Sequence, residues 1–180
     1  MSASRVVMAA LAAVALLAAG CGGESVAALD LGQEAEFQHA DIDEGSQPTT
    51  LGVTVLDVRE GTMADLEAGG YEVDEEDLTK TPVYVDVRYE NKGDQPVSRE
   101  MRTSLEDQDG DLITAVTIFN FGDVPFETCT DNTEGELAPG ESFESCVLHF
   151  APEGREPTRV SFLPYVPGEE SEWVYWKATA

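Results

Sequence analysis

The sequence is poor in cations. Lysine and arginine number 10 against 36 aspartates and glutamates, a net charge of −26 at neutral pH. That excludes ordinary nucleic-acid binding, because phosphates are held by a basic surface. It also excludes electrostatic adhesion to anionic lipid headgroups. Histidine is nearly missing: His39 and His149 stand alone, outside any metal-ligand spacing. No nucleophile triad order, phosphate loop or dinucleotide fingerprint occurs. No enzyme and no cofactor are therefore expected. Acid pairs abound, but in so acidic a chain they arise without catalytic meaning. Long apolar runs are missing too, with one exception. Val6 to Ala19 is apolar, yet shorter than the roughly 20 residues of a spanning helix.

That run belongs to a three-part secretion signal over residues 1–20. Arg5 supplies the only charge, the apolar run follows, and small residues lead to Cys21. Leu16-Leu17-Ala18-Ala19-Gly20-Cys21 resembles the lipobox of bacterial lipoproteins. In this chain Ala18 stands where leucine is usual and Leu17 is its neighbour. The resemblance implies cleavage before Cys21 and two fatty-acyl chains, of the palmitate kind, on its thiol. The expected partner is the membrane, through that lipid, and the expected location is the outer face of the cytoplasmic membrane. Two chains suffice for stable attachment. Residues 21–32, small and acidic, read as a flexible tether, and 33–180 as one domain.

Only three cysteines are present. With Cys21 taken by lipid, Cys129 and Cys146 form an even pair in an oxidising compartment, so a disulfide is expected. A two-thiol metal site would need further ligands nearby, and none is there.

From Gln33 onward the pattern is strands with polar turns. Glu34–Ala40, Leu51–Arg59, Pro82–Asn91, Ser142–Phe150, Thr158–Leu163 and Glu172–Lys177 read as strands. Glu100–Glu106 and Leu112–Phe119 read as a hairpin around Asp109-Gly110. In Pro82–Asn91, Val83, Val85, Val87 and Tyr89 form a buried face, and Tyr84, Asp86, Arg88 and Glu90 a wet one. Cys146, Leu148 and Phe150 share a face, which turns His149 outward. A turn of helix is expected near Thr62–Ala68. About seven to eight short strands imply an all-β immunoglobulin-like sandwich.

Thr81-Pro82-Val83-Tyr84-Val85-Asp86-Val87, Asn91-Lys92-Gly93 and Leu137-Ala138-Pro139-Gly140-Glu141 carry a family resemblance. They are similar to the telokin-like, immunoglobulin-like domain of actinobacterial exported lipoproteins, which itself resembles mycobacterial immunoprotective secreted antigens. The composition, rich in Ala, Gly, Val, Asp and Glu, agrees with a GC-rich actinobacterial genome. The resemblance implies a fold and no catalytic residues. Gly93 is expected to supply a positive φ, and Pro139-Gly140 a turn.

Three features invite a binding role. Asp107, Asp109 and Asp111 surround Gly110 and could hold Ca²⁺. An EF-hand would place Gly and Glu where Leu112 and Ile118 stand, so a solvated turn is preferred. The acidic stretch 60–80, with Asp65, Glu67, Asp74, Glu75, Glu76 and Asp77, reads as a solvated insertion or else a site for a cation or a basic partner. Trp173 and Tyr175 share one face of the last strand, with Val174 and Trp176 on the other. They either pack in the core or stack on a sugar or partner. The functional expectation is a lipid-anchored, non-catalytic binding or interaction domain. The alternative is a Ca²⁺-type domain using the acidic loops.

Overall fold

A computed structural model describes residues 27–43, 45–71, 73–116 and 128–179. The signal segment, Cys21 and the first part of the tether lie outside the described residues, as does the expected strand beyond Val116. No helix among the described residues is long and apolar enough to cross a membrane.

The chain is an all-β sandwich. In order it forms β1 (Glu34–His39), β2 (Thr49–Glu60), α1 (Met63–Ala68), β3 (Thr81–Asn91), β4 (Val97–Ser98), β5 (Ser104–Asp107), β6 (Leu112–Ile113), β7 (Ala115–Val116), β8 (Glu136–Leu137), β9 (Ser142–Ala151), β10 (Pro157–Phe162) and β11 (Val174–Lys177). One sheet runs β1-β2-β3-β9-β7 and the other β11-β10-β5-β6, with β4 and β8 as a small separate pair. The named strands pair antiparallel throughout. The strand count exceeds the expected one because β4, β6, β7 and β8 are two-residue segments with no periodicity to read.

Period-two burial builds the main core. Leu51, Val53 and Val55 of β2 and Val83, Val85, Val87 and Tyr89 of β3 face Leu105, Val160, Phe162 and Trp176 of the other sheet. A bulge in β2 keeps charge out of it. Val55 pairs with Val87, but Asp57 pairs with Asp86, so Leu56 is an extra residue. The slip moves Asp57 and Arg59, in phase with the core valines, to the outer face. There Arg59 meets Asp86 at 3.1 Å and lies 4.5 Å over the Tyr84 ring.

That outer face is not wet, as the strand pattern alone suggests. Tyr84, Cys146, Leu148 and Phe150 form a second core with Leu66 and Cys129, flanked by Met63, Tyr71 and Val73. Met63, Leu66, Tyr71 and Val73 therefore make the stretch 60–80 a cover, while its acids Asp65, Glu67, Asp74, Glu75 and Glu76 stay exposed as expected of a solvated insertion. Helix α1 starts on Thr62, which forms a reciprocal capping box with Asp65. It buries Leu66 completely. Apolar residues on both faces of β9 demand such a cover.

Three further expectations change. The hairpin's second arm does not stay in its sheet: β6 pairs with β5, but after Thr114 the chain enters the other sheet as β7 beside β9. The tether ends earlier than residue 32. Leu29 forms a parallel bridge to Trp176, and Asp30 pairs with Lys177 at 2.5 Å. Gly93 is not among the positive-φ glycines, whereas Gly140 is, at 80°. Gly93 is needed for close approach instead: a Cβ there would lie 2.1 Å from Thr49 Oγ1 and 2.6 Å from Thr50 N.

Candidate functional site

A cleft of about 300 Å³ opens where the far end of β1 meets the segments after β4 and β10. Its apolar wall includes Ile42, Met101, Phe162, Leu163 and Tyr165. Ile42 is 85% exposed, Leu163 42% and Tyr165 36%. Six large hydrophobic side chains are exposed among the described residues, and these three line one cleft. Such clustering marks a contact site more than scattered apolar residues do.

Hydrogen bonds hold the walls. The Ala40 amide donates to the Tyr165 carbonyl at 2.7 Å, and the Tyr165 amide donates to His39 Nδ1 at 3.1 Å. His39 thus carries its proton on Nε2. Burial pushes its pKa below the usual histidine range, with Asp41 opposing. Phe162 packs against both Phe37 and His39, at centroid distances of 5.2 and 5.6 Å. The Ser98 amide donates to both carboxylate oxygens of Asp41, at 3.0 and 3.2 Å.

Charge in the cleft is one-sided. Asp41, Asp43 and Glu100 line it, and none forms an ion pair with a described residue. Arg102 is the cleft's arginine, and its guanidinium is held 2.8 Å from Asp131. The sequence does not reveal this site, since Ile42 and Tyr165 lie in irregular segments. Asp41-Ile42-Asp43, an isolated apolar residue between acids, is the one local hint.

The residues singled out from sequence lie elsewhere. Trp173 and Tyr175 are on the outer face of the β11 sheet, with rings 6.5 Å apart, while Trp176 is fully buried. Arg159 covers Tyr175 at 4.7 Å, so only Trp173 offers an open edge. Its Trp176 neighbour fills the core and donates its indole N–H to the Gln33 carbonyl at 2.8 Å.

Asp107, Asp109 and Asp111 are not brought together as a ligand set. Asp107 is buried, and its Oδ1 accepts from the amides of Asp109 and Asp111, both at 2.9 Å. Its Oδ2 accepts from Arg155. Burial pushes its pKa up, but the Arg155 hydrogen bond and the two turn amides outweigh that and hold it below the usual carboxylate range. Asp109 and Asp111 point into solvent. Among the described residues no three His, Cys, Asp or Glu side chains cluster as metal ligands.

Cys129 and Cys146 are joined as a disulfide, with Cα atoms 5.0 Å apart. His149, expected to face outward, is fully buried. The Cys146 face is the covered outer face of its sheet, so the alternate residues of β9 point into the sandwich.

No protein-family model matches the chain, and no curated protein matches it by sequence. Among solved structures it is similar to MPT63, a secreted protein of Mycobacterium tuberculosis. The identity is 15%, the TM-score 0.50, and the match covers 82% of this chain and 94% of that one. A lipoprotein (ycdA) of Bacillus subtilis aligns over 82% of this chain at 14% identity and a TM-score of 0.49, and this chain spans only 40% of its length. A conserved hypothetical protein of Bacillus anthracis aligns at 16% identity over 77% of this chain and 96% of its own, with a TM-score of 0.41. The likeness to MPT63 is one of fold: the chain has the β-sandwich fold of that secreted protein.

Proposed function

We propose that this protein is an exported lipoprotein whose sandwich is a non-catalytic binding domain, displayed outside the cytoplasmic membrane. The anchor is Cys21, read from the signal run and the lipobox-like Ala18-Ala19-Gly20-Cys21. The observation that carries the binding role is the cleft: three exposed apolar side chains gathered at one place on an otherwise strongly charged molecule.

The docking of Leu29 adds geometry to this reading. Seven residues lie between Cys21 and Leu29, eight steps of chain with a reach of at most about 28 Å. The domain would stand close to the bilayer with its β11 edge nearest. Strand β1 then carries the chain about 17 Å onward from Glu34 to His39, which lines the cleft. The net charge keeps the domain off anionic headgroups.

The test is fractionation of cells expressing the wild type and Cys21→Ala. The wild type should sediment with membranes and the variant should appear in the soluble exported fraction. Equal membrane association of the two would refute anchoring through Cys21.

A further inference from the structure

We infer that the cleft receives a basic peptide segment bearing an apolar side chain, which seats against Ile42, Leu163 and Tyr165 while flanking lysines or arginines meet Asp41, Asp43 and Glu100. This rests on the reading of the domain as a binding module and names its ligand class.

Size and charge carry the inference. About 300 Å³ is at the small end of ligand pockets. It suits one or two side chains inserted from a segment that continues outside. The three carboxylates sit on two stretches, 41–43 and 98–100, which the Ser98 amide joins through the Asp41 carboxylate. Among the described residues no three carboxylates cluster as ligands for one ion, so cations carried along a peptide match them better than one compact cation does. An anionic ligand has no cation to meet: Arg102 is committed to Asp131 at 2.8 Å, and the His39 Nδ1 lone pair is taken by the Tyr165 amide. Phosphate-bearing ligands and acidic polymers are thereby disfavoured. The apolar wall supplies the selectivity that charge alone lacks, because basic ligands are attracted to the whole of a surface at −26.

The experiment uses the exported protein carrying Cys21→Ala and three fluorescein-labelled peptides. The first alternates lysine with leucine and phenylalanine. The second replaces each lysine by glutamate. The third keeps the lysines and replaces the apolar residues by serine. At physiological salt the first should saturate by fluorescence anisotropy in the micromolar range, and the third should bind about tenfold more weakly. Ile42→Lys should weaken the first peptide about tenfold or more, while Leu112→Lys, an equal charge change at a distant exposed leucine, should leave it within about twofold. Circular dichroism melting confirms that both variants fold. If the first and third peptides bind alike, or if the two variants weaken binding alike, the attraction is general and the proposal falls. Binding of the glutamate peptide alone, lost in Ile42→Lys, would overturn the ligand class and keep the cleft as a site. No Ile42-dependent binding by any of the three would overturn both.

Discussion

His149 donates its Nδ1–H to the carbonyl of Ile113 at 3.0 Å, at the point where the chain crosses from one sheet to the other. Ile113 ends β6 and Ala115 begins β7, so between them the backbone changes partners. A carbonyl stranded at such a crossing costs stability unless something donates to it. A carbonyl can only accept, so the bond fixes the tautomer with the proton on Nδ1. Burial pushes the pKa of His149 down to about 4, and the bond to Ile113 opposes that only in part.

A pH dependence follows. Unfolded, the imidazole titrates near 6.5. Above that pH both states are neutral and the fold has its full stability. Between 6.5 and about 4 the unfolded chain takes up a proton that the folded chain refuses, so stability falls as pH falls. The loss amounts to about 3 kcal/mol over the window. His149→Asn keeps an amide donor for Ile113 and cannot titrate. Urea denaturation at pH 7 and pH 4 should show the wild type losing about 3 kcal/mol relative to the variant. A constant gap would show that His149 takes up its proton in the fold as readily as in the unfolded chain.

The long strands were legible from the sequence because β2, β3 and β9 are long enough to show a period of two. What was missed follows from pairs of layers that no local pattern shows. The pattern puts Cys146, Leu148 and Phe150 on one face, and they are buried. Yet they face α1 rather than the opposite sheet, and this inverts the placement of His149. The strand pattern places Tyr84 in solvent because Asp86, Arg88 and Glu90 share its phase, yet it is buried. Its cover comes from Leu66, Tyr71 and Val73, residues of another element and the loop after it. The motifs Asn91-Lys92-Gly93 and Leu137-Ala138-Pro139-Gly140-Glu141 were each recognised as scaffolding, but not that they lock together. Asn91 Nδ2 donates to the Leu137 carbonyl at 2.9 Å, the Asn91 amide to the Glu141 carbonyl at 2.9 Å, and the Gly140 amide to the Asn91 carbonyl at 2.8 Å. The cleft stayed hidden because its walls come from irregular segments more than a hundred residues apart, Ile42 and Tyr165.

That lock yields a second prediction. The Asn91 side chain is fully buried and also accepts from Thr49 Oγ1 at 2.9 Å and donates to the Gln95 carbonyl at 2.8 Å. Asn91→Ala strands all of these groups and should cost about 3 kcal/mol. Gly93→Ala should cost about 2 kcal/mol by overpacking against Thr49 and the Thr50 backbone. Chemical denaturation measures both. A Gly93→Ala protein as stable as the wild type would show that this turn shifts freely.

The disulfide gives a third. Cys129 and Cys146 are 17 residues apart in sequence, and closing such a loop limits the unfolded chain by about 3 kcal/mol. Replacing both with alanine should lower stability by about that amount and leave the far-ultraviolet spectrum of a β protein. Alkylation of the native protein without reduction should find neither thiol. Modification of Cys129 and Cys146 under those conditions would show that the bridge does not form in the exported protein.

Calcium is the last test, and the geometry around Asp107 sets its outcome. A Ca²⁺ ion needs about six to eight oxygens, and the turn would have to supply most of them. Both Asp107 oxygens are already engaged, by the amides of Asp109 and Asp111 and by Arg155. Asp107 and Asp111 both face Arg155, a cation where Ca²⁺ would have to sit, and among the described residues no three carboxylates cluster as metal ligands. Recruiting Asp107 would break its ion pair and unmake the turn. A site filled to about a thousand times its dissociation constant would add about 4 kcal/mol. For a chain of this size that is a rise of several degrees in melting temperature. Millimolar CaCl₂ should instead leave the melting temperature where an ionic-strength-matched NaCl control puts it, and Arg155→Ala should lower it in both salts alike. A rise specific to Ca²⁺ that disappears in Asp107→Asn would establish a cation site at this turn.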